Sequence, residues 1–205
     1  MPTSRAVLIP LVALLVIGAL GAAAWFAARP TFAFTNTLAG PVRVVVNGSA
    51  GTVGPGETAK ARVARDRVVA EWELIRPLSA DSQPMGEVVK GSSLINRPRG
   101  TVAVEARPRV ETGDYFAPLI TNDTPGLLRV TVNAGLDGAR DCGCAVRPGV
   151  KRVFIGYYRL YRNSTVRATA PDGSHATFQD LGEEAARRGW SVGLRFTPEG
   201  FQPRS

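Results

Sequence analysis

Cys142 and Cys144 are the only cysteines in the 205-residue chain, and Gly143 alone separates them in ARDCGCAVRPG, residues 139–149. Two thiols at this spacing have few options. In extended backbone they point to one side, with Cα atoms about 6.6 Å apart, near the upper limit for a disulfide. A bend at Gly143 shortens that distance. An oxidising compartment favours such a bridge, and without a third cysteine an intrachain bridge joins these two. Its ring is small, so it gains little loop-closure entropy. Kept reduced, two soft thiolates suit Cu(I) or thiol exchange. An intermolecular disulfide and an inert reduced pair complete the set. The expectation is a pair near the surface, in the connection 134–147 that leads into the Pro148-Gly149 turn, contributing little to stability.

A second candidate is VFIGYYRLYRNS, residues 153–164. In strand geometry Tyr157, Arg159 and Tyr161 share one face, opposite Phe154, Gly156, Tyr158 and Leu160. An exposed Tyr-Arg-Tyr row suits a glycan, a polyanion or a protein partner, since these residue types are enriched at interfaces. The plainer alternative is that the tyrosines cover a sheet edge and the arginine lies on a ring.

Other chemistry lacks its residues. His175 is the only histidine and alternates with Thr177 as in a solvent-facing strand, so a Ser-His-Asp or Cys-His unit has one thin support. Two cysteines and one distant histidine fall short of a four-ligand zinc site. There is no phosphate-binding Gly-rich loop and no dinucleotide fingerprint. The carboxylates are dispersed, and none pair by spacing. These absences argue against an enzyme. The sequons at Asn47, Asn122 and Asn163 matter only in a eukaryotic secretory host.

The elements that must position these groups show an internal duplication. Thr35 to Asn47 reads TNTLAGPVRVVVN, and Thr121 to Asn133 reads TNDTPGLLRVTVN. They align without gaps at an offset of 86, with seven of 13 positions identical. Each reads as a turn followed by a strand: Thr-Asn and Gly supply turn chemistry, Val42, Val44 and Val46 share a face, as do Leu128, Val130 and Val132, and each strand ends at an Asn that tolerates a left-handed turn. Pro55-Gly56 and Pro148-Gly149 follow at an offset of 93, so the second copy carries seven extra residues between its strand and its turn, and the CGC motif lies in that longer connection, 134–147. Further strands are expected at 67–75, 101–107, 114–121, 127–133, 150–162, 164–169, 174–179 and 190–196. Residues 76–100 read as a long loop with one short strand at 87–90. Pro171-Asp172-Gly173 marks a hairpin turn. Residues 180–188 read as a short helix, capped by Asp180 and stopped by Gly189.

At the N-terminus, residues 6–28 run 23 positions without a charge between Arg5 and Arg29. About 20 apolar residues span a bilayer, and Trp25 and Phe26 fall where interfacial aromatics belong. The run exceeds a signal-peptide core, although Ala22-Ala23-Ala24 offers a cleavage site. Net charge is +8, and 25 Lys and Arg residues include lysine only at 60, 90 and 151. No charge run is dense enough to make a nucleic-acid patch, and attraction to anionic lipid or wall polymer is the partner class that the balance allows. In one fragment, a C-x-C ahead of a Pro-Gly turn behind a single anchor, the chain is similar to membrane-anchored copper-delivery proteins with an immunoglobulin-like domain. Their Phe-rich surroundings are missing, and no kinship follows.

The sequence thus predicts an all-β protein: an N-terminal anchor over 1–29, then two duplicated sandwich-like β modules over 30–112 and 113–205, with one short helix near the C-terminus. The expected chain is single-pass, with residues 30–205 extracytoplasmic. Its expected role is non-enzymatic binding or structure, with the membrane, another envelope protein or an anionic polymer as partner and no nucleic acid. The alternative role is copper or thiol-redox accessory chemistry at Cys142 and Cys144.

Overall fold

The structure, a computed structural model, describes residues 29–64, 66–136 and 139–202. The apolar run 6–28 lies outside the described residues, among which no helix is long and apolar enough to cross a membrane. The described chain is mostly β, with several sheets and one helix near the C-terminus.

The first half runs β1 (Thr31–Asn36), β2 (Val42–Val46), β3 (Ser49–Val53), β4 (Thr58–Arg62), β5 (Arg67–Leu74), β6 (Lys90–Asn96) and β7 (Thr101–Ala106). They form a three-stranded sheet, β4-β1-β7, and a four-stranded sheet, β3-β2-β5-β6. Within the smaller sheet β1 is antiparallel to β4 and parallel to β7. Alternating apolar residues turn inward from both sheets, Phe32 and Phe34 from β1, Val42 and Val44 from β2, and Val68, Ala70, Trp72 and Leu74 from β5, and meet in one core.

A short β8 (Arg109–Val110) leads to β9 (Gly113–Asn122), β10 (Leu128–Val132), β11 (Arg140–Val146), β12 (Val153–Phe154), β13 (Tyr158–Arg159), β14 (Val166–Thr169) and β15 (His175–Phe178). Helix α1 (Leu181–Arg187) and β16 (Ser191–Phe196) close the chain. One sheet here is four-stranded, β11-β10-β14-β15. The other is five-stranded and built on β9, which pairs antiparallel with β8, β12 and β13 and parallel with β16. Apart from β8 and β13, this is the strand order of the first half. The segments 42–46 and 128–132 are therefore equivalent second strands, and each ends at an Asn with positive φ, 46° at Asn47 and 57° at Asn133.

β9 carries more than its counterpart. Tyr115 and Ala117 belong to the first core, while Phe116 and Ile120 belong to the second. One strand thus walls both cores, and six consecutive residues, 115–120, are buried.

Three sequence expectations are corrected here. The stretch 76–100 is not a long loop with a strand at 87–90. Residues 90–96, KGSSLIN, form a full edge strand on β5, where pairing outweighs the low β propensity of Gly and Ser. The run 150–162 is not one strand, because the register against β9 shifts by one residue between Phe154↔Leu119 and Tyr158↔Phe116. Gly156, at φ 107°, absorbs that bulge. Asp180 precedes α1 as expected, but with φ 53° and no side-chain cap bond.

Candidate functional site

The CGC motif lies inside β11 rather than in a loop. Arg129 pairs with Ala145 and Thr131 with Asp141, so Cys142, Gly143 and Cys144 all stand opposite the single residue Val130. The motif is itself a β-bulge. Gly143 takes φ 63°, which glycine reaches without cost, and its N–H is taken by Asp141 Oδ1 at 3.0 Å. The bend brings the cysteine Cα atoms to 5.1 Å, and the sulfurs are bonded to each other. The expectation of a bridging pair holds.

The expectation of a surface position does not. Cys142 and Cys144 are 4% and 8% exposed and belong to the second core beside Val130 and Val146. The bulge keeps both on the inward side, where two adjacent apolar side chains are worth most. Residues 77–85 of the first half approach the motif at two points. Met85 packs in the same core, Ser79 Cβ lies 3.9 Å from the point where a Cβ on Gly143 would stand, and Leu78 bridges Pro84 to close the loop.

This arrangement sets what the pair can do. As a disulfide it offers no thiolate, and holding Cu(I) would require both reduction and exposure of the buried sulfurs. The described residues contain no grouping of three or more His, Cys, Asp or Glu side chains fit for a metal.

The Tyr-Arg-Tyr row does not reach the surface as a row. Tyr157 is fully buried in the first core, Tyr158 is 1% exposed in the second, and Arg159 alone of the predicted trio is exposed, with Tyr161 half-buried. The reading assumed one wet face, whereas Tyr157 and Tyr158 lie beside β9 between two cores and pack one into each. Tyr157 instead joins the halves. Its hydroxyl accepts Ala39 N–H at 2.9 Å, its carbonyl accepts Glu87 N–H at 2.7 Å, and its ring meets Phe154 edge-on at 5.7 Å. Gly86 and Gly156 touch backbone to backbone beside it; a Cβ on Gly86 would lie 2.8 Å from both Tyr157 N and O. Burial pushes the Tyr157 phenol above its ordinary pKa. Burial raises that of Tyr158 too, with the Asp141 and Glu87 carboxylates adding to it.

The duplicated Asn residues have a role that the sequence pointed to only through their identity. Asn36 Nδ2 donates to Gly40 O at 2.9 Å and Val53 O at 3.0 Å, and Oδ1 accepts Leu38 N–H at 2.9 Å. Asn122 Nδ2 donates to Gly126 O at 2.8 Å and Val146 O at 2.9 Å, and Oδ1 accepts Thr124 N–H at 2.9 Å. Both side chains are fully buried. In each copy the asparagine's own backbone carbonyl accepts the N–H of the Pro-Gly glycine, Gly56 at Asn36 and Gly149 at Asn122. The sequon at Asn122 is therefore closed in the folded chain.

No protein-family model matches the chain, and no curated protein matches it.

Proposed function

We propose that the chain is a membrane-tethered extracytoplasmic protein whose two β-sandwich modules, 30–112 and 113–205, serve a binding or structural role and not an enzymatic one. The single observation that carries the reading is the disulfide buried in the second core. A bonded, buried pair suits an oxidising compartment, and it suits structure better than turnover, because exchange needs an attacking thiolate to reach a sulfur. The 23-residue uncharged run ahead of Arg29 supplies the tether. The partner is another envelope protein or an anionic polymer, consistent with the net charge of +8.

Cell fractionation with alkylation before and after reduction tests this. The expected result is a membrane-bound chain whose two cysteines resist alkylation until unfolded and reduced. A soluble mature chain starting near Trp25, or cysteines that alkylate freely in the native protein, would overturn it.

A further inference from the structure

The two copies differ at one edge. In the second copy, β15 is the outer strand of its sheet, and a bridge takes up the outward groups of its first residue: His175 N–H bonds Gln202 O at 3.0 Å and Gln202 N–H bonds His175 O at 2.9 Å. The equivalent strand in the first copy is β6, and the described chain places no strand on its outer side.

The geometry of that edge follows from the register. Leu74 N–H bonds Val89 O and Arg97 N–H bonds Asp66 O at the two ends of the β5–β6 ladder. Hydrogen-bonded pairs alternate in an antiparallel ladder, so Gly91, Ser93 and Ile95 face β5, and Lys90, Ser92, Leu94 and Asn96 aim N–H and C=O outward. The ladder carries no register shift. Natural edges are blunted by charge, proline or a bulge; β4 carries Lys60 and Arg62, and β11 carries the CGC bulge. β6 has a single charge, at its end, and leaves Leu94 55% exposed.

We propose that β6 is a self-association edge, pairing antiparallel with β6 of a second copy about a twofold axis at Ser93. That register engages all four outward residues: Lys90 faces Asn96 of the other copy, and Ser92 faces Leu94. No like charges oppose. The surroundings favour a second copy over other occupants. Two chains of net charge +8 repel over most of their surface, but the groove beside β6 is balanced. On its sheet side Arg43 and Lys90 stand with Glu71 and Glu73. On its β8 side Arg107 and Arg109 stand with Glu105 and Glu111. This face can meet itself without a charge penalty, and a neutral groove gives no pull to a polyanion.

The test uses the full-length chain in detergent, its mass measured by analytical ultracentrifugation. The wild type is expected at twice the monomer mass and Ser92→Pro at the monomer mass, since proline there removes an outward N–H that the chain's own sheet does not use. Ser93→Cys is expected to form a covalent dimer on mild oxidation, because a non-hydrogen-bonded pair on the axis sets the Cα atoms about 4.5 Å apart. Its native cysteines are already bonded to each other. Ser49→Cys, on the opposite edge of the same sheet, should give none. Should Ser92→Pro fail to fold, the Ser93→Cys result decides alone. A monomeric wild type, a dimer that survives Ser92→Pro, or no cross-link at Ser93→Cys overturns the proposal. So does a monomer that copurifies with a different protein bound through this edge.

Discussion

Asn122→Ala should be among the most damaging single changes in the second half. The side chain is fully buried and makes four hydrogen bonds: two to carbonyls, Gly126 and Val146, and two from Thr124, through its N–H and its hydroxyl. At a net contribution of about 1 kcal/mol each, the loss is about 4 kcal/mol. Asn36→Ala removes three equivalent bonds and should cost about 3 kcal/mol by the same reckoning. Asn122→Asp is the sharper probe. It keeps the shape and the acceptor but loses both donors, and it sets a buried carboxylate against two carbonyl oxygens, so it should cost at least as much as alanine. Urea unfolding followed by tryptophan fluorescence reads these differences. With a slope of about 2 kcal/mol per molar, the Asn122→Ala midpoint falls by about 2 M at unchanged slope. A cost below about 1 kcal/mol would refute the view that this turn is held by its asparagine.

Three further outcomes follow from the packing. Replacing both cysteines should depend on the replacement: Cys142→Ala with Cys144→Ala loses about 1.5 kcal/mol from a ring so short, whereas the double serine variant adds two buried hydroxyls at about 1–3 kcal/mol each; equal Tm values for the two would contradict the buried position. Gly86→Ala should lower stability by more than about 2 kcal/mol, since a left-handed φ of 74° and the Tyr157 backbone both oppose a Cβ, while Gly48→Ala, left-handed in open space, should cost about 1 kcal/mol. Because burial raises the folded pKa of Tyr157 and Tyr158, their contribution is intact below the ordinary tyrosine value of about 10 and is lost as pH climbs above it. Absorbance titration at 295 nm should show Tyr157 and Tyr158 ionising late, together with alkaline unfolding; their ionisation near the ordinary value in the folded chain would refute this.

The duplication was legible because the repeated residues are those that the backbone cannot do without. Asn36 and Asn122 tie a turn to a neighbouring strand, and Asn47 and Asn133 take positive φ. Strands β5, β7, β10 and β14 and helix α1 were legible because period two and a Gly stop dominate locally. What failed was exposure. Period two sorts residues into faces, but only the tertiary partner says which face is wet. Tyr157 and Tyr158 lie on opposite sides of a strand with a core on each, and a sequence gives no sign of the second core. The cysteines misled for a related reason: Cys-Gly-Cys in a Gly-rich stretch has the composition of a loop, and only pairing with Val130 turns it into a bulge. The loop 77–85 had no local signal, since Met85 reaches a core built by residues more than 30 positions away.

In both copies the first and last strands are parallel neighbours, β1 with β7 and β9 with β16, over six residue pairs each. That pairing fixes the mechanics of the chain under tension. Parallel neighbours put the entry of a module at one end of the pair and its exit at the other. A pull along the chain therefore slides the two strands past each other and loads all their hydrogen bonds at once. An antiparallel closure would be peeled open bond by bond at far lower force. Two such pairs in series would each resist a pull along the chain in shear.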